Sequence, residues 1–155
     1  MDLLKRIQNM VWTVGEDYSS TVEVKGGMSY TDTEKVVIAD HKGLMKLGLT
    51  EEEATDVVMF ASAHEGGHNK LSSIDAIRNT LGKAKSMEEF NTLNNLCQIA
   101  EDYRVDTTIT RERPGYWDIR KGTLGAVTKM FADRPSDNPE DNFFKEVSFN
   151  TYDIT

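Results

Sequence analysis

Apolar and polar residues alternate along this chain with two different periods, and the change of period marks out its elements. Residues 2 to 13 place Leu3, Leu4, Ile7 and Val11 at helical spacing. "STVEVKGG" then alternates, with Val22 and Val24 on one face, until Gly26 and Gly27 break it. "EKVVIAD" predicts a second strand, and its run of Val36, Val37 and Ile38 reads as more buried than a two-faced edge. "GLTEEEA" opens a helix: Thr50 and Glu53 have capping-box spacing, and the apolar residues Val57, Val58, Phe60 and Ala61 follow. Ser72 with Asp75 and Ser86 with Glu89 give two more helix starts. The helix after Ser86 carries an apolar stripe of Phe90, Leu93, Leu96, Cys97, Ala100 and Tyr103. "PGYW" at 114–117 reads as a turn with aromatic anchors, followed by a helix over 123–132. "DRPSDNPEDN" is a polar loop, and the apolar tail "FFKEVSFNTYDIT" suits a packed segment or a strand. Trp12 and Trp117 read as core residues.

These elements predict an α+β fold: a small twisted sheet on one side of the helix after Thr50, and the helix after Ser86 on the other. At 155 residues the chain reads as one domain, residues 1–155, able to bury a core. Its abrupt apolar tail also fits a piece cut from a longer protein. A net charge of −8 argues against a nucleic-acid partner, despite the basic group Arg104, Arg111, Arg113, Arg120 and Lys121. No apolar run approaches a membrane span, and the N-terminus lacks the apolar core of a signal peptide. One cysteine, Cys97, excludes an internal disulfide and reads as a small buried hydrophobe; a reducing, cytoplasmic setting is expected.

The candidate chemistry lies in "ASAHEGGHNK", residues 61–70. On a helix, His64 and His68 are one turn apart on one face and can direct imidazole nitrogens at one zinc ion. Glu65, one step round, can act as a general base on a water there. A hydrophobic helix that carries a His-Glu-His face inward needs a partner for those groups, and a metal supplies one. Gly66 and Gly67 disfavour helix but let a neighbouring helix come close. A third ligand is required. His41 is one candidate, and "EDYRVD" offers carboxylates. By helical angle Glu101 lies nearer the apolar stripe than Asp102, while Asp102 and Asp106 share a face and either could orient a ligand histidine. Arg104 could hold one of these carboxylates.

Together, His64-Glu65-Gly66-Gly67-His68 and Glu101-Asp102-Tyr103-Arg104-Val105-Asp106 resemble the gluzincin branch of zinc metallopeptidases. They resemble most closely its compact bacterial and phage-type members, often found ahead of a von Willebrand A-like domain. The resemblance covers about residues 29–116 and implies a zincin-like fold. It implies one Zn2+ held by His64, His68 and Glu101, with Glu65 as base and a polypeptide substrate. It also implies that Val36, Val37 and Ile38 form an edge strand that pairs with an extended substrate. The register departs from the gluzincin pattern. An aspartate usually follows the ligand glutamate by four residues, but position 105 is Val and Asp106 follows Asp102 by four, which keeps Asp102 open as the third ligand. Candidates for stabilising the oxyanion are Tyr30, Tyr103, Tyr116 and Arg113. The expected activity is endopeptidase. The alternatives are a zinc amidase acting on cell-wall peptides, a non-catalytic zinc-binding assembly module, and a latent enzyme whose tail covers the metal through Asp153.

Overall fold

The computed structural model describes residues 2–26, 28–32 and 34–132, with side chains to residue 126. The tail, its polar loop and Asp153 lie outside the described residues. The order is α1 (Leu3–Gly15), β1 (Thr21–Val24), β2 (Tyr30–Thr31), β3 (Lys35–Ile38), α2 (His41–Lys46), α3 (Glu51–Leu71), α4 (Ile74–Leu81), α5 (Met87–Glu112) and α6 (Gly115–Ala132). This is the α+β architecture expected: a three-stranded sheet packed against helices, with the histidine helix α3 at the centre.

Helix α3 starts where its sequence says it should. The Thr50 hydroxyl accepts from Glu53 N at 3.2 Å, and the Glu53 carboxylate accepts from Thr50 N at 2.8 Å. It continues unbroken through both glycines to Leu71 because other helices need their lack of side chains. A Cβ on Gly66 would lie 2.7 Å from Val11 O of α1, and one on Gly67 would lie 2.3 Å from Ile109 Cδ1 of α5. The glycine pair is therefore the point at which α1 and α5 both reach α3.

Two apolar clusters flank this helix. One joins Ile7 and Val11 of α1 and Val36 and Ile38 of β3 to Leu44, Leu49, Ala54, Val58, Met59 and Ala126. The other joins Val14, Ala63, Val105, Ile109 and Tyr116, and borders the histidines.

Several expectations are corrected. The strand order is β1-β3-β2, with β1 parallel and β2 antiparallel to β3. Val36, Val37 and Ile38 are thus in the central strand, at most 1% exposed, and their backbone groups are committed to neighbours on both sides. They are not an edge and cannot take up a substrate strand; the edge on that side is β2. The apolar stripe of α5 is not core either: Phe90, Leu96 and Tyr103 are exposed, and the helix buries Val105, Asp106 and Ile109 instead. Among the described residues its buried positions all lie in its second half, so the periodicity of the first half does not mark a core face. Of the "PGYW" segment, Pro114 is a turn residue just ahead of α6 and the other three residues open that helix. Ser72 caps the end of α3 rather than starting α4, and the short helix α2 was not anticipated. Among the described residues no helix is long and apolar enough to cross a membrane.

Candidate metal centre

The i,i+4 spacing does what the sequence suggests. His64 Nε2 and His68 Nε2 face each other at 3.0 Å. Asp102, one turn before Asp106 on α5, brings Oδ1 to 3.0 Å from His68 Nε2 and 3.6 Å from His64 Nε2. These three are a potential metal-holding group, with ligand atoms all within 4.8 Å of one another. Tetrahedral zinc with bonds near 2.0–2.1 Å requires donor atoms about 3.3 Å apart. The observed triangle of 3.0, 3.0 and 3.6 Å brackets that separation.

The chemistry of the donors agrees with the distances. Asp106 Oδ1 lies 2.8 Å from His64 Nδ1, and a carboxylate only accepts, so Nδ1 carries a proton and Nε2 is the nitrogen that a metal would take. His68 Nδ1 is engaged at 2.7 Å by Ser72 Oγ. Two nitrogens and a carboxylate oxygen thus converge on one point, an arrangement that a cation satisfies when it replaces the protons held between them. Burial pushes His64 toward its neutral form, but the Asp102 and Asp106 carboxylates outweigh this and hold its pKa well above the ordinary value. Burial likewise raises Asp102, and His64 and His68 overcome it, leaving this carboxyl far below the usual range. The site is a place that favours positive charge, and it is compatible with a single Zn2+.

The sequence favours Glu101 over Asp102 as the acidic group, whereas the geometry brings Asp102 to the histidines. Glu101 turns toward the α3–α4 junction, accepts from Arg104 Nε at 2.9 Å and Arg104 Nη2 at 2.7 Å, and lies 3.3 Å from Ser73 N. The Arg104 bond holds Glu101 below its usual pKa. Arg104 also donates to Leu71 O, so its partners are Glu101 and the end of α3, not Asp102 or Asp106. Helical angle misplaces Glu101 because the apolar stripe it is measured from is not buried. Asp106, expected to orient a ring, is fully buried and does contact His64. His41 lies elsewhere, with Nε2 3.3 Å from both Glu51 O and Thr55 Oγ1.

Glu65 is 8% exposed and borders a cleft of about 550 Å³. Burial raises its pKa, against an opposing pull from His64 and His68. The cleft is walled on one side by Met28, Ser29, Tyr30 and Thr31 around β2, and on the other by α4 and α5. Of the oxyanion candidates, Tyr30 lines this cleft. Tyr116 is buried and donates to Asp106 Oδ1 at 2.7 Å, Arg113 donates to Thr13 O at 2.7 Å, and Tyr103 is an exposed residue of α5. Cys97 also lines the cleft, half-buried rather than in the core.

Sequence reasoning passed over two contributors that helical spacing could have found. Ser72 follows His68 by four residues, and Phe60 precedes His64 by four, its ring stacked on the imidazole at 5.8 Å. The β2 wall left no signal, because its two paired residues are too short to show a period. No family model matches the chain, and no curated protein or solved structure is significantly similar to it.

Proposed function

We propose that this protein is a zinc-dependent hydrolase of peptide bonds, with His64, His68 and Asp102 holding the ion and Glu65 as general base. The observation that carries this reading is the convergence of those three ligand atoms beside a buried glutamate, at the floor of an open cleft. A purely structural zinc site is closed by four protein ligands and has no use for an adjacent base. Zinc would supply an acidified water and a polarised carbonyl.

The chain's own groups account for the rest. Glu65 sits where burial favours its protonated form, so it can take a proton from the attacking water and release it to the departing amine. Asp106 holds the His64 ring so that Nε2 faces the cluster. Strand β2 lies beside the cleft, and an extended peptide running along that wall would lay a scissile bond across the cluster. Tyr30, on that strand, is the side chain proposed to meet the developing oxyanion.

The test is zinc analysis together with cleavage of a mixed fluorogenic peptide library by the native protein and by Glu65→Gln. The expected result is zinc in both and a loss of rate in the variant on the order of 10²–10⁴-fold. Stoichiometric zinc in both with equal rates would overturn the assignment and favour a binding module.

A further inference from the structure

His64 and His68 are held very differently. His68 has one hydroxyl behind it, whereas His64 sits in a closed ring of contacts that runs through α6. Its face stacks on Phe60 at 5.8 Å and 18°. The other face of that arrangement is Tyr116, whose ring stacks on Phe60 at 5.7 Å and 14°. The Tyr116 hydroxyl then donates at 2.7 Å to Asp106 Oδ1, the same oxygen that His64 Nδ1 approaches at 2.8 Å. Contacts thus run from His64 to Phe60, to Tyr116, to Asp106 and back to His64. Arg120, one turn further along α6 and 4% exposed, brings Nε to 3.9 Å from Asp106 Oδ2, placing a buried positive charge beside the carboxylate.

We infer that Tyr116 of α6 is the positioning residue for His64: its ring fixes the plane of the Phe60–His64 stack, and its hydroxyl fixes the Asp106 oxygen that selects the His64 tautomer. The ring of contacts leaves the imidazole little freedom to rotate about either side-chain bond. A carboxylate shared between a phenol and an imidazole also has one well-defined direction in which to accept. His64 is therefore the preset ligand of the pair, and His68, backed by the single hydroxyl of Ser72 at the end of α3, is the adjustable one. Helix α6, which carries none of these three ligands, thereby sets the geometry of the centre. The inference rests on the reading of His64 as a zinc ligand, and the experiment separates the two.

Two measurements on Tyr116→Phe decide it: zinc affinity, by titration with zinc chloride against a competing chelator, and the NMR position of the His64 Nδ1-bound proton in metal-free protein. Phenylalanine keeps the stack and removes only the hydroxyl. The expected results are about tenfold weaker zinc binding and a displaced Nδ1 proton signal. Val36→Ala, in the other apolar cluster, serves as a control that loses stability yet retains zinc affinity and the signal. Phe60→Leu, which breaks the stack and spares the hydroxyl, should also weaken zinc binding, and it decides the matter if Tyr116→Phe does not fold. Unchanged affinity and an unmoved proton in a folded variant would overturn the inference. If the native protein binds no zinc, the metal reading fails, while the proton signal still reports whether Tyr116 orders His64.

Discussion

Gly66 of α3 lies against Val11 of α1 so closely that a methyl group would fall 2.7 Å from the Val11 carbonyl oxygen. That oxygen is backbone within a helix and cannot step aside. At Gly67 the obstructing atoms are the Ile109 and Val105 side chains, at 2.3 and 2.7 Å, which can adjust in part. Alanine gains about 1 kcal/mol of helix propensity at either position, while overpacking costs about 1–3 kcal/mol. Gly66→Ala is therefore expected to lower stability in chemical denaturation more than Gly67→Ala. Equal stability of Gly66→Ala and the native protein would contradict the close approach of α1.

Exchanging the carboxylates one at a time tests which acid belongs to the cluster. Asp102→Asn should weaken zinc binding by at least about 10–100-fold, the loss expected when even a hydrogen-bond partner of a ligand is removed. Glu101→Gln should change it little, because that side chain is occupied by Arg104. Isothermal titration of both variants with zinc gives the comparison, and the opposite ranking would restore Glu101 to the site.

The pH response follows from opposite shifts on two neighbours. His64 has a folded pKa above its unfolded value near 6.5. Its contribution to stability is complete below that value and lost as pH rises through the folded pKa. Asp102 has a folded pKa below its unfolded value near 3.9. Its contribution is present above that value and lost as pH falls toward the folded pKa. Metal-free protein is thus expected to gain most from this pair between about pH 4 and 6.5. Zinc requires neutral imidazoles, so its stabilisation should grow over the range where the metal-free protein weakens. Thermal melts with chelator and with excess zinc, from pH 4 to 9, would show the two trends; parallel curves would count against the cluster as drawn.

At the far end of the same helix, Thr50→Ala removes the cap received by Glu53 N. The expected cost is about 1 kcal/mol, read as a lower Tm with zinc affinity retained. A large loss of affinity would mean that the cluster depends on the start of α3 more than its separation suggests.

What was legible in the chain was whatever one local stretch encodes. Thr50 and Glu53 announce the start of α3, and His64 and His68 face one way because the helix makes them. The Asp106 contact was within reach because its partner was already marked. The choice between Glu101 and Asp102 was not, since it depends on how α5 is rotated against α3. That rotation is set by Val105 and Ile109 lodging at Gly67, a long-range fit invisible in the periodicity of either helix. The misplaced edge has a similar origin. Val36, Val37 and Ile38 carried the composition of a strand buried on both faces, but the partner that covers their second side, β2, is only two residues long.

The two imidazoles share a helix, and their spacing is guaranteed by its pitch, but the carboxylate arrives from 34 residues further along the chain. An ion bound by all three is a clasp across that separation, and at a thousand times its dissociation constant it would add about 4 kcal/mol to the folded state. Departure of the ion and loosening of α5 from α3 then become a single equilibrium viewed from its two ends. Whatever strips the metal should also loosen that half of the molecule.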